Sequence, residues 1–447
     1  MRSQQGAFFG QNSSAGVLQA PKRDPKGWFA DGFLIGLSPA WWTCLIICVG
    51  ALRLEFPALA DWSSPYGVCA HVSRGDERPM AAQEFQLMRN AGIVWVRTDF
   101  DWSGVERSRG KWTFNHLDEV VELAEKAEIC ILPILDYDVP WARPAYKHLD
   151  LWLEYVRQVV SRYKDRLHYW EVWNEPNLEN FWRDKPDPAN YVQLLRATYQ
   201  EIKRIDPKLT VLLGGMAGIP WTYLEGIYKA GGKDYFDVMN VHPYRYPRGP
   251  EESQLLADLL RLRNLMKEFG DDDKPIWITE IGWPTHQGPR GISEEAQAQI
   301  LPRSYLLALE GGVARIFWYE FQAPERQADY NEDHFGIVHR DLTPKPAYQA
   351  YKTLCGMRPP GSTRLGFWQD REVVASGWVT LQGESVWAVW APKEEKDVRF
   401  SVSGEVKKVI THLGVPMEKT LDRGLLHLRI GLGPIYVAGP KILKLAE

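Results

Sequence analysis

Cysteine is scarce in this chain, with five residues in 447. Two of them, Cys44 and Cys48, share one apolar run, which leaves Cys69, Cys130 and Cys355 widely scattered over the remainder. Three isolated thiols make neither a disulfide framework nor the paired spacing of a zinc site, so an ordinary hydrophobic core must hold the fold. Basic excess is missing as well: 53 Lys and Arg face 57 Asp and Glu, a formal charge of −4. Nothing is left over to neutralise a phosphate backbone, and nucleic acid is not an expected partner. HExxH, GxSxG, GxGxxG and GxxxxGK[ST] are all absent. Zinc hydrolysis, Ser-His-Asp chemistry and nucleotide binding therefore have no motif, and neither a metal nor a cofactor is expected. Internal repeats and low-complexity tracts are absent too.

What the chain has in plenty is tryptophan, 20 residues, which with Tyr and Phe brings aromatics to 12%. Flat apolar rings serve cores first, then interfaces and the apolar faces of sugars. Hydrophobic residues at 45% and charged residues at 25% are those of a folded globular protein. Residues Gly32 to Leu52 form an uncharged run long enough to cross a bilayer, preceded by Lys22, Arg23 and Lys26. Ala58-Leu59-Ala60 then has the small-x-small form of a signal-peptidase site. Residues 1–60 are read as a leader, either a cleaved export signal or an uncleaved membrane anchor. Both place the rest outside the cytoplasm: secreted, periplasmic or anchored with N-terminal membrane contact.

From Tyr66 onward, short β-branched and aromatic runs alternate eight times with longer stretches of helical period. The runs begin at Tyr66, Ile93, Ile129, His168, Thr210, Phe236, Pro275 and Ala314. Their near-continuous apolar character predicts parallel strands covered on both faces. Between the third and fourth, Leu149, Trp152, Val156, Val159, Val160 and Tyr163 recur at three- and four-residue steps, one stripe of an amphipathic helix. Eight such units predict an α/β fold, a (β/α)8 TIM barrel over residues 61–358. Pro359-Pro360-Gly361-Ser362 then punctuates the chain, and short strand-like runs from residue 373 onward predict a C-terminal β-sandwich over 363–447.

Barrel active sites form at the C-terminal ends of the strands. The polar residues at those positions are His71, Arg97, Asp99, Asp136, Asn174, Glu175, His242, Tyr244, Glu280, Trp318 and Glu320. Two carboxylates stand out. Glu175 closes the fourth strand in WEVWNEPN, where Pro176 is expected to keep it extended, and Glu280 closes the seventh in WITEIGWP. Side chains rising from strands four and seven converge over the barrel axis. Two carboxyls flanking one bond are what glycoside hydrolysis needs: one protonated for the leaving oxygen, one ionised to attack or to activate water. Trp170, Trp173 and Pro176 surround Glu175 in sequence, and desolvation by those rings would favour its protonated form. Arg97 would hold Glu280 ionised, unless it pairs with Asp99 or Asp101 instead. Glu175 is thus read as the proton donor and Glu280 as the nucleophile.

WNEPN, TEIGW and the barrel frame resemble clan A of the glycoside hydrolases, most of all family thirty-nine and its exopolysaccharide-cleaving relatives. The likeness runs from about Tyr66 to Tyr351 and includes FGIV and DLTPKPAY after the eighth strand. It implies a retaining double displacement on an extracellular poly- or oligosaccharide, with Glu175 as acid/base and Glu280 as nucleophile. By the same resemblance Asn174 binds the sugar 2-hydroxyl, and Arg97, His242 and Tyr244 support the nucleophile or the bound ring. Trp318 forms the floor of the central subsite, and His71 and Asp136 are further candidate substrate-binding residues, at strands where the family pattern varies. Trp102, Trp141, Trp182, Trp221 and Trp283 are candidate sugar platforms on the loops. A transglycosylase using the same intermediate, and a catalytically silent carbohydrate-binding barrel, are the alternatives.

Overall fold

The computed structural model describes residues 63–74 and 80–446. The leader expected over residues 1–60 lies outside them. Among the described residues no helix is long and apolar enough to cross a membrane.

All eight expected strands form: Tyr66–Cys69, Trp95–Asp99, Cys130–Leu135, Tyr169–Asn174, Thr210–Ala217, Met239–His242, Ile276–Ile281 and Val313–Trp318. They close into a parallel barrel in which each pairs with its sequence neighbours and the first pairs with the eighth. A helix of nine residues or more follows each strand before the next begins, the last being Pro346–Met357. The helix Leu149–Tyr163 buries Trp152, Val156, Val159, Val160 and Tyr163 as its stripe predicts, with Tyr155 beside them. Where helices start, the sequence supplies the partner for the free N–H groups. Asp187 accepts from Ala189 and Asn190 ahead of Pro188, and Ser293 accepts from Ala296.

Some elements are not foreseen, among them the strand Thr363–Gln369, which precedes the runs expected from residue 373. After the second strand a small hairpin pairs Glu106–Ser108 with Lys111–Trp112 around Arg109-Gly110. Gly110 adopts φ +77°, which the turn requires and which only glycine adopts without strain. Two strands of three and two residues are too short for periodicity to reveal.

Inside the barrel the strands alternate, and the N-terminal end is filled by aromatic rings. Trp95, Tyr169, Trp277 and Phe317 pack edge to face and stacked, with centroids 5.2–6.4 Å apart. The Arg315 guanidinium lies over three of them, at 4.7 Å from Trp95, 5.3 Å from Tyr169 and 4.4 Å from Trp277. This plug closes the lower end, so polar groups higher on the same strands face only the upper opening.

Beyond Met357 the chain forms two antiparallel sheets, one of five strands beginning at Thr363–Gln369 and one of four containing Lys396–Ser403. Ala375, Trp387, Val389, Phe400, Leu426, Leu428 and Val437 interdigitate between them, the core of a sandwich. The opposite face of the five-stranded sheet carries Trp378, Ala388, Trp390 and Tyr436, which join the barrel's own hydrophobic core. That double burial explains the unbroken apolar run Val386–Trp390, all of it buried. Contacts between the two parts are polar as well as apolar. Trp378 Nε1 donates to Met357 O at 2.8 Å, and Trp390 Nε1 donates to Glu251 Oε1 at 2.6 Å. Glu251 also accepts from Arg303 Nε at 3.0 Å and from Arg303 Nη2, and both side chains are buried.

Removing one partner of a buried ion pair leaves an uncompensated charge, which costs about 3–5 kcal/mol. Glu251→Ala is therefore expected to lower stability by that order in urea unfolding and to lower the sandwich and barrel signals in one transition. Separate transitions would show that this contact does not couple them.

Candidate active site

The second strand sends Trp95, Arg97 and Asp99 inward by its two-residue alternation, and the fourth sends Tyr169 and Glu171 inward. Arg97 and Glu171 therefore meet above the aromatic plug. Arg97 Nε and Nη2 donate to the two Glu171 oxygens at 2.8 Å each. The same guanidinium donates to Asn174 Oδ1 at 2.8 Å and, through Nη1, to Glu280 Oε1 at 2.5 Å. Arg97 is 4% exposed. Burial disfavours its charge, yet Glu171 and Glu280 outweigh that and hold the cation firmly. Its partners are thus Glu171 and Glu280, neither Asp99 nor Asp101.

Along the end of the fourth strand the register with the fifth is kept, Val172 opposite Leu213 and Asn174 opposite Gly215, while the backbone leaves the extended region. Trp173 and Glu175 both take left-handed backbone, φ +74° and +46°. Such backbone in non-glycine residues costs roughly 1–3 kcal/mol each and gathers at functional sites. Glu175 is not extended as Pro176 suggested. It turns because its N–H donates to Gly215 O at 2.9 Å while its carbonyl accepts from Leu178 N at 3.0 Å, starting the turn toward Glu179–Trp182. Proline excludes the right-handed helical region before it, but extended backbone is not the only remaining choice.

Glu175 and Glu280 come together at the top of the barrel with His242 between them. His242 Nδ1 lies 3.0 Å from Glu175 Oε1 and 3.6 Å from Glu280 Oε2. One oxygen of each acid and this nitrogen all fall within 4.8 Å of one another. This is the one group among the described residues whose donor atoms are close enough to hold a metal ion. Arg97 and Tyr244 already donate to Glu280, so the carboxylate is solvated by protein donors. Tyr244 Oη gives the shorter contact on Oε2, 2.6 Å. Burial works against ionising Glu280, but the His242 charge, Arg97 and the Tyr244 hydroxyl prevail and hold the carboxyl below its ordinary range.

Above both acids opens a cleft of about 370 Å³, lined among others by His71, Tyr137, Tyr244, Tyr246, Tyr319 and Phe335. Asn174, Glu175, Arg97 and Glu280 line it too, as expected. Asn174 is oriented from two sides, accepting from Arg97 and donating through Nδ2 to Tyr137 Oη at 3.1 Å. His71 lies 3.5 Å from Asp99 and 3.4 Å from Glu320. Burial and Arg74 oppose its protonation, but the two carboxylates win and push its pKa up to about 10. His242 is fully buried beneath the cleft, where it meets the two acids and is not among the residues lining the opening.

Two expected positions do not reach the cleft. Trp318 is fully buried and stacks on Trp283 at 5.6 Å. Phe317 belongs to the barrel interior, so alternation turns Trp318 outward and brings Tyr319 into the cleft in its place. Asp136 is also sealed, its carboxyl without a hydrogen-bond partner among the described residues. Desolvation first, then Asp99 and Asp101, push its pKa well up and favour the neutral form. The third strand ends at Leu135, and Tyr137 faces the cleft instead. None of the five candidate platforms lines it: Trp102, Trp182 and Trp283 are core residues, and Trp141 and Trp221 are half-buried elsewhere. Glu171, Tyr137, Tyr319 and Thr279 escaped sequence reading. Inward parity shared with Arg97 was the available signal for Glu171.

Comparison with known proteins identifies the family. A sequence model of the cellulases, glycosyl hydrolase family 5, matches residues 63–319. This is more than half of the chain, and the chain belongs to that family. Over 242 residues it is 38% identical to a β-xylosidase of Geobacillus stearothermophilus, a stretch covering 46% of each chain. A β-xylosidase of Caldicellulosiruptor saccharolyticus is 22% identical over 219 residues, 45% of this chain and 44% of that one. The chain thus spans somewhat under half the length of these curated relatives. Among solved structures, a family 39 glycoside hydrolase of Bacteroides cellulosilyticus matches with TM-score 0.74 and 26% identity, covering 84% of this chain and 80% of that one. The resemblance to clan A near family thirty-nine is borne out.

Gly215 leaves the space that His242 fills: a Cβ there would stand 1.8 Å from His242 Nε2. Gly215→Ala is expected to displace the imidazole and both acids, lowering kcat/KM about 10²-fold, the order that small misplacements cost. Steady-state kinetics beside a thermal melt would check this, and full activity would show that the ring needs no fixed position.

Proposed function

We propose that this chain is a retaining glycosidase that cleaves O-glycosidic bonds of an extracytoplasmic poly- or oligosaccharide, with Glu175 as acid/base and Glu280 as nucleophile. The observation that carries the reading is the approach of the two acids, one oxygen from each within 4.8 Å. Retaining pairs stand about 5–5.5 Å apart, whereas inverting pairs need about 6.5–9.5 Å to admit a water between acid and sugar. Their surroundings divide the roles. Glu280 receives the Arg97 guanidinium and the Tyr244 hydroxyl, which favour the ionised form a nucleophile needs. Among the described residues Glu175 meets one titratable side chain in hydrogen-bond contact, His242, and it opens on the same cleft.

The chemistry follows in two displacements. Glu280 attacks the anomeric carbon while Glu175 gives its proton to the leaving oxygen, and the sugar becomes an ester on Glu280. Water, deprotonated by Glu175, then attacks the same carbon and releases the sugar with its configuration retained. Asn174, its amide turned by Arg97, is placed to meet the 2-hydroxyl. A second cavity of about 290 Å³ shares Arg74, Asp99 and Tyr137 with the first. That continuity favours a substrate of more than one sugar. The apolar run Gly32–Leu52 supports export, secreted or anchored.

The test is hydrolysis of a panel of aryl glycosides and oligosaccharides, with β-xylosides, the substrates named for the curated relatives, as its first arm. NMR of the first-formed anomer and product length complete the measurement. Glu280→Ala is expected to abolish activity, and Glu175→Ala to cost about 10²–10⁴-fold with poor leaving groups, the usual weight of general acid catalysis. Activity unaffected by either change, or an inverted product, contradicts the reading. Transglycosylated products at high acceptor concentration would mark the same intermediate resolved by sugar instead of water.

The acidic limb of the pH profile should report Glu280. A carboxyl held low stays ionised as pH falls until its own lowered pKa is reached, so activity should persist below the ordinary glutamate range. Tyr244→Phe removes one donor to the charged form, raises that pKa and should move the limb to higher pH. An unmoved limb would show that Glu280 does not set it.

A further inference from the structure

His242 is fully buried, and each of its ring nitrogens meets one partner. On one side Nδ1 faces Glu175 Oε1 at 3.0 Å, with Glu280 Oε2 farther at 3.6 Å. On the other, Nε2 faces Thr279 Oγ1 at 2.9 Å. Gly215 of the fifth strand closes on the ring edge without offering a side chain. The charged groups around it are thus Glu175, Glu280 and, through Thr279, Glu171.

The protons on this path can be counted. Thr279 N–H donates to Asn240 Oδ1 at 3.3 Å, which fixes that amide atom as the oxygen. The Thr279 hydroxyl lies 2.9 Å from this oxygen and 3.4 Å from Glu171 Oε1. Glu171 Oε1 already accepts from Arg97 and from Gly215 N. Both neighbours of the hydroxyl are therefore acceptors, so its single hydrogen goes to one of them and a lone pair is left for His242. Nε2 must then carry a hydrogen. Asn240 Nδ2 is buried without a partner among the described residues, a cost borne while its oxygen faces Thr279.

With Nε2 protonated, a 3.0 Å contact between Nδ1 and Glu175 closes only if one further proton lies between them. We propose that Thr279 is a positioning residue: its hydroxyl, oriented by Asn240, keeps His242 protonated on Nε2, so that Nδ1 and Glu175 together hold the proton delivered to the leaving group. This rests on the glycosidase reading for its use in catalysis, though not for its geometry. When the proton passes to the glycosidic oxygen, Glu175 is left ionised beside a neutral His242 that still carries hydrogen on Nε2. Deprotonation of the attacking water refills the same position. Without the hydroxyl, the buried Nε2–H has no acceptor. The ring then keeps its hydrogen on Nδ1, donates it to an ionised Glu175, and the stored acid proton is lost.

The experiment compares the full chain with Thr279→Val and Thr279→Ser, using ¹⁵N-histidine NMR with His242 identified by its loss in His242→Asn. The unmodified protein and Thr279→Ser should show Nε2 protonated across neutral pH, and Thr279→Val should show it bare. In kinetics Thr279→Val should lose about 10²-fold on a glycoside with a poor leaving group, with its alkaline limb moved to lower pH. A dinitrophenyl glycoside, whose leaving group needs no proton, should be nearly unaffected, and Thr279→Ser should restore the first substrate. A bare Nε2 in the unmodified protein, a protonated one in Thr279→Val, or equal losses on both substrates overturns the proposal. If the unmodified protein hydrolyses no glycoside, the functional reading fails while the NMR result still decides the proton's place. The unmodified spectrum decides it even should Thr279→Val not fold.

Discussion

A single buried guanidinium organises the upper half of this barrel. Arg97 enters the interior with five donors in a fixed fork and only 4% of its surface exposed, so the fold must surround it with acceptors. Glu171 takes two of its bonds, Asn174 one and Glu280 one. A cation so deeply buried is tolerable only when opposed by carboxylates with good hydrogen-bond geometry. Two acids meet that need, and one of them, Glu280, thereby becomes a preorganised anion at the floor of a cleft. Arg97 thus turns a structural requirement into a chemical one.

The rest of the molecule makes that arrangement rigid. Aromatic rings and Arg315 fill the lower barrel, so the polar network stands on a packed base. Left-handed backbone at Trp173 and Glu175 aims Asn174 and the acid upward. Glu251 and Trp390 tie the C-terminal sheets to the helical shell. Sequence, packing and site are linked here by parity: the two-residue alternation that seats Trp95 and Tyr169 in the plug also sends Arg97 and Glu171 toward one another.

Much of this is legible in the sequence because its signals are local. Eight apolar runs with helical stretches between them announce the barrel, and two acids at strand ends between Trp and Pro announce the site. Arg97 meets Glu280 as its position on the second strand suggests. What was illegible depends on parity or on tertiary context. Trp318 and Tyr319 are adjacent, and only the inward direction of Phe317 tells which one faces the cleft. Asp136 follows a strand end like the others, but among the described residues its carboxyl has no hydrogen-bond partner, and burial favours its neutral form. Glu171 lies in the middle of an apolar strand and looks anomalous until Arg97 is placed opposite. Thr279 is silent in sequence, since its role comes from Asn240 and His242 on a neighbouring strand. The residue before Pro176 turned left-handed because hydrogen bonds to Gly215 and Leu178 required it.

The claim on which the account stands is that the carboxylate held by Arg97 is the attacking group. It is tested most directly by incubating the protein with a 2-deoxy-2-fluoro glycoside of a sugar it hydrolyses, then digesting it and locating the added mass by mass spectrometry. The account predicts one sugar per chain, attached at Glu280 and released with the configuration of the substrate. A label on any other residue, or turnover with inversion and no covalent adduct, would contradict it.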